Sequence, residues 1–250
     1  MQACLVTDSA LQANNAFNIC FGDSSGAGAS RVPLKELRSG DLILDSETSV
    51  SRVIVNEHVH STHKSALLTM ATTKGELVVT PDHYIATGGG FNAAGKATAL
   101  VDAAGEAISV ERTSVKMGEV VNPITVSGKI LVATASGAPF RATTYGGWIA
   151  ETALRFGGVL TSASVSNGLS VVFPASVQAF HDSVIEPVAP SQAVFSIWSQ
   201  LFTATPMMLH PIAFFVLDFA VAASFAAWVM CSVSGAALAA AAAFKLRTRK

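Results

Sequence analysis

Thr80 and His83 are the two residues whose types and spacing suggest chemistry. They flank Pro81-Asp82, with Leu77-Val78-Val79 before the corner and Tyr84-Ile85 after it. Val78, Val79, Tyr84 and Ile85 suit a pleated, half-buried surface. Pro81 fixes its own φ and withholds a donor, so Thr80 and His83 can meet across a tight corner. A hydroxyl and an imidazole held that close can act together on one amide bond, the imidazole exchanging a proton near neutral pH. The same four residues also make a serviceable turn, so a catalytic reading needs a nucleophile. Of the three cysteines, Cys4, Cys20 and Cys231, none belongs to a CxxC pair or a disulfide framework. Cys20 stands directly before Phe21 and the loop Gly22-Asp23-Ser24-Ser25-Gly26-Ala27-Gly28. Taken alone it reads as a small buried apolar residue sooner than as a nucleophile.

The elements that would position these groups are short strands. Leu42-Ile43-Leu44, Val53-Ile54-Val55, Leu67-Leu68, Leu77-Val78-Val79 and Tyr84-Ile85-Ala86 are separated by polar turns such as Thr73-Lys74-Gly75-Glu76. That is hairpin punctuation with no long helical period. Gly88-Gly89-Gly90 and Ala103-Ala104-Gly105-Glu106 predict two further turns, and Pro33–Asp41 a short helical turn closed by Gly40. Strand signals continue through Val120-Val121, Ile124-Thr125-Val126 and Ile130-Leu131-Val132 to Thr143-Thr144-Tyr145. Residues 20–146 therefore read as one mainly β domain of many short strands, preceded by a flank, 1–19.

The chain has 250 residues, only 13% of them charged, with sixteen basic against seventeen acidic residues. Without a basic stripe to neutralise phosphates, nucleic acid is excluded as a partner. A mean hydropathy of +0.47 is high for a soluble domain, and the excess lies near the C-terminus. Residues 147–211 read as a linker plus an amphipathic segment, Gln192 to Leu209, fit for a membrane interface or a core. Residues 212–244 hold 26 consecutive uncharged positions, Phe219 to Phe244. As a helix that run measures about 39 Å against a hydrocarbon layer of about 30 Å. A basic tail follows in 245–250, with Lys245, Arg247, Arg249 and Lys250, and Asp218 precedes the run, so a single membrane span with lipid as partner is expected. The rival reading is a buried Ala-rich core helix. A cytosolic tail would put the β domain in a lumen or outside the cell. Met1 to Ile19 does not read as a signal peptide, so that topology needs an export signal further upstream. The alternative is a tail-anchored protein with a cytosolic domain.

Five segments recur in an order that resembles a known family: Cys20-Phe21, Pro33–Asp41, Thr80-Pro81-Asp82-His83, Asn122–Ile130 and Thr143-Thr144-Tyr145. Together they resemble the Hint domain, the self-processing module of Hedgehog proteins and inteins. They look most like the Hedgehog-type (Hog) branch of protist and algal membrane proteins. The resemblance implies an all-β horseshoe followed by C-terminal helices, with the chain's own N-terminal segment as substrate. Cys20 would attack the carbonyl of Ile19, exchanging the Ile19–Cys20 amide for a thioester. His83 would protonate the leaving nitrogen, and Thr80 would hold the same peptide. A second nucleophile would then release Met1–Ile19.

Two departures bear on the second step. His58 stands where the cholesterol-attaching branch has an acidic residue, and an imidazole can serve as the base there. This counts against a sterol acceptor specifically and leaves water or another nucleophile. Thr144 replaces a late cysteine whose thiol chemistry a hydroxyl cannot reproduce. Splicing is disfavoured, because the chain runs on past Tyr145 without a terminal His-Asn and nucleophile.

His58, His60 and His63 form an H-x-H-x-x-H cluster that zinc could use if His58 and His60 share a strand face. A solvated strand end fits the same residues, and no metal or other cofactor is assigned. The remaining histidines, His181 and His210, show no sequence partner. Beside the autoprocessing reading stand a non-catalytic, membrane-tethered β module and, more weakly, a zinc-binding membrane protein.

Overall fold

The computed structural model describes residues 18–21, 30–57, 64–133, 137–146, 163–188, 206 and 209–247. The first half is mainly β. In chain order the strands are β1 Asn18–Phe21, β2 Ser30–Pro33, β3 Leu42–Leu44, β4 Val50–Glu57, β5 Lys64–Thr72, β6 Gly75–Val79 and β7 His83–Thr87. There follow β8 Gly90–Ala93, β9 Ala99–Val101, β10 Ala107–Ser109, β11 Arg112–Glu119, β12 Asn122–Thr125, β13 Lys129–Val132 and β14 Phe140–Gly146. They form four small antiparallel sheets, ordered β12-β4-β3-β1-β2, β10-β9, β11-β5-β6 and β13-β14-β7-β8. Short strands rich in Val, Ile and Thr, each closed by a polar turn, cannot build one long sheet. They wrap instead around a single core of Leu37, Ile43, Val53, Met70, Leu77, Ile85, Leu100 and Phe140, all fully buried.

The helical turn expected over Pro33–Asp41 is shorter, Leu34–Glu36, and is closed at Leu37 rather than by the glycine. Gly40 follows in the Arg38–Asp41 turn at φ 95°, where a side chain would be strained. Gly75, at φ 144°, lies so close to Gly137 that an added Cβ would sit 2.6 Å from its Cα. The β5–β6 hairpin is thereby pressed against the segment leading into β14.

Beyond the β domain come α1 Val165–Val172, α2 Pro174–Phe180, a π-helical turn His181–Ile185, α3 Glu186–Val188 and a long α4, His210–Arg247. The first of these fall in the stretch read from sequence as linker, where Ser, Gly and Val masked the helical signal. The expected amphipathic segment, Gln192 to Leu209, lies outside the described residues except for Pro206 and Leu209.

These helices meet the β domain at several points: Arg52 of β4 donates to Asn167 Oδ1 of α1, and a buried side chain of α2 joins the two parts more deeply. Gln178 donates to Asn56 O at 2.9 Å and to Asp182 Oδ1 at 2.8 Å. Its Oε1 accepts from Asn56 N at 3.1 Å and Ser39 N at 3.3 Å. On their other side, Phe180 meets Phe225 edge-on at 5.5 Å and lies 5.7 Å from Trp228, both on α4. Asp218 is buried, and its carboxylate accepts from Val165 N at 2.6 Å and Ser166 N at 3.1 Å. It therefore caps α1, a local role that its place beside the uncharged run did not suggest.

The stretch His210–Ser234 is long and apolar enough to cross a membrane, and only 11% of its most apolar window is buried in the protein. Phe219, Met230 and Val233 are each more than 60% exposed. Such exposure is not that of a soluble core helix.

Candidate active site

The backbone closes a corner between Thr80 and His83. The His83 amide donates to Thr80 O at 3.1 Å, closing the turn that Pro81-Asp82 begin. β7 then carries His83 beside β14, pairing it with Gly146. There His83 Nε2 lies 2.5 Å from the carbonyl oxygen of Thr143, while Thr143 Oγ1 donates to Tyr84 O at 3.0 Å.

A carbonyl oxygen only accepts, so the ring proton of neutral His83 belongs on Nε2. That leaves Nδ1 as the nitrogen with a lone pair, able to take a proton and return it. Burial of the ring pushes its pKa below the ordinary imidazole value of 6.5, outweighing the Thr143 carbonyl and the charge of Asp82, which act the other way. The ring is thus held neutral at physiological pH.

Thr80 and His83 open on a cavity of about 170 Å³ whose wall includes Val120, Asn122, Pro123, Ile130, Thr143 and Thr144. The motif segments around Asn122 and Thr143, far apart in sequence, therefore converge on the Thr-Pro-Asp-His corner. Cys20 and Ile19 belong to β1, opposite Arg31 and Val32 of β2. β1 packs beside β13, and Ile130 and Val132 of β13 line the same cavity. His58, His60 and His63 lie outside the described residues, immediately past Glu57 at the end of β4.

Thr144 is 1% exposed. Its hydroxyl oxygen lies 3.4 Å from the Thr125 amide, which donates to it, and 3.5 Å from Thr125 Oγ1. It joins β14 to β12. Sequence reasoning did not single out the Thr143 carbonyl, because backbone groups carry no residue signature. The Thr-Thr-Tyr segment was the signal nearest to it.

No protein-family model matches the chain, and no curated protein does. Among solved structures, it is similar to a variant of the gp41-1 intein at 11% identity and TM-score 0.41, over 51% of this chain and 95% of that one. A bacterial intein-like domain from Clostridium thermocellum aligns at 16% identity and TM-score 0.38, over 56% of this chain and 98% of that one. The VidaL intein aligns at 15% identity and TM-score 0.39, over 51% and 92%. The aligned share is about half of this chain.

Proposed function

We propose that the chain is a Hint-type self-processing protein that cleaves its own Ile19–Cys20 bond and is anchored in a membrane by α4. The observation that carries this reading is the pinned, neutral His83 beside Thr80, at a cavity bordered by the neighbour of the Cys20 strand. Neutral His83 takes the Cys20 thiol proton at Nδ1, and the thiolate attacks the Ile19 carbonyl carbon. The carbon–nitrogen bond breaks as the same proton passes to the leaving nitrogen, which becomes the amine of Cys20. Thr80 holds the peptide during this exchange, and an Ile19 thioester on Cys20 results. A second nucleophile attacks that thioester, with His58 as its base, releasing Met1–Ile19 and restoring the thiol.

A cavity of about 170 Å³ is on the scale of one that admits benzene, and below the roughly 300–1,000 Å³ typical of drug-sized ligands. Water or a compact nucleophile is therefore the acceptor that fits within it, and a sterol would have to approach from outside. The absence of a His-Asn pair and following nucleophile after Tyr145 favours cleavage of the Hedgehog type over splicing.

The test is the intact mass of the chain made in cells beside a Cys20→Ala variant. Loss of Met1–Ile19 from the parent alone supports the reading, and added mass on the released peptide names the acceptor. A parent that stays whole, even with dithiothreitol present to trap a thioester, would overturn it.

A further inference from the structure

We propose that His181, Asp182 and Glu186 form a binding site for a divalent first-row transition ion, at the junction of the helices with the β domain. Donor atoms of these three residues all lie within 4.8 Å of one another. The local helix explains how. Residues His181–Ile185 form a π-helical turn, whose i to i+5 spacing stacks Glu186 over His181. An ordinary α-helix would have turned them apart.

The second observation is that this cluster is buried and unsatisfied. Glu186 and His181 are each 8% exposed. Both carboxylate oxygens of Glu186, and Nδ1 of His181, are buried without a hydrogen-bond partner among the described residues. A buried carboxylate without donors is costly unless a cation or a proton sits against it. Asp182 Oδ1 stands 3.6 Å from His181 Nδ1, too far for a hydrogen bond. It is near the roughly 3.3 Å that separates two donors on a tetrahedral ion with bonds of about 2.0–2.1 Å.

The surroundings complete a familiar arrangement. Glu57, on β4, places Oε1 3.9 Å from His181 Nε2, on the side of the ring where a carboxylate can orient a ligating imidazole. Glu57 is itself steadied by Asn122 Nδ2 at 3.0 Å. Gln178 donates to Asp182 Oδ1 while gripping Asn56. One nitrogen and two carboxylates, with no thiolate, suit Zn²⁺ or a neighbouring divalent ion better than the all-oxygen set calcium prefers. Bound there, the ion would fasten the helices to the end of β4.

The test uses the full chain in detergent with Cys20→Ala, which removes both cleavage and that thiolate. After chelation and dialysis, Zn²⁺ binding is titrated and bound metal counted, then repeated with Co²⁺ for its visible spectrum. The expected result is one ion per chain, without a thiolate charge-transfer band, weakened about tenfold or more by Glu186→Gln and by Asp182→Asn. Replacing His58, His60 and His63 together by Ala should leave it in place. Zinc that is not retained, or that leaves with those three histidines while ignoring Glu186→Gln, would overturn the proposal. Should Glu186→Gln misfold by circular dichroism, Asp182→Asn, at a less buried position, decides.

Discussion

Removing the titratable ring at position 83 should change how stability depends on pH. The depressed His83 pKa means that, between 6.5 and the lower folded value, the unfolded chain binds a proton that the folded chain refuses. Full stability is therefore present above 6.5 and is lost as pH falls through that window, levelling off once the folded ring also protonates. One proton sets the limiting slope at about 1.4 kcal/mol per pH unit. The cause is local: protonation would charge a part-buried ring between the cavity wall and β14, with the Thr143 carbonyl 2.5 Å from Nε2. In a Cys20→Ala background, His83→Gln keeps an N–H donor for that carbonyl but cannot titrate. Denaturant midpoints followed by circular dichroism from about pH 8 to about pH 5 should fall more steeply for the parent than for the His83→Gln chain. The other five histidines are present in both chains, so whatever they contribute is common to the comparison. Parallel curves would refute the reasoning, and with it the claim that burial keeps His83 neutral as a base.

Gln178→Ala should destabilise the junction by about 2–4 kcal/mol, since it strands the backbone groups of Ser39 and Asn56 that the amide serves. Faster proteolysis between the β domain and α1, with β-domain exchange protection unchanged, would register it. Asp218→Ala removes the acceptor for two α1 amides and should cost about 1–2 kcal/mol. Amide exchange at Val165 and Ser166 would rise, and unchanged rates would count against the cap. Thr144→Val should leave release of Met1–Ile19 at the parent rate, because its hydroxyl serves Thr125 alone among the contacts described. A cleavage defect in a folded Thr144→Val chain would give that hydroxyl a role in the reaction.

Much of this protein is decided by short-range features that a sequence displays openly. The strands are set by brief apolar runs and polar turns, and Gly40 sits where the Arg38–Asp41 turn before β3 takes a left-handed residue. The backbone corner from Thr80 to His83 closes because two intervening residues, one of them proline, leave it little choice. The length of the apolar C-terminal helix follows from an uncharged run that nothing interrupts. What the tertiary structure alone decided are contacts between residues distant in the chain and often made by the backbone. The carbonyl that fixes the His83 tautomer is 60 residues away, and Gln178 grips Ser39 from 139 residues away. His181 looked solitary because its partner Glu57 belongs to another element and Glu186 reaches it only through a π turn, which no residue pattern announces. Local conformation is set by each residue's own sterics and so can be read in order. Burial, charge and proton placement depend on which neighbours folding supplies.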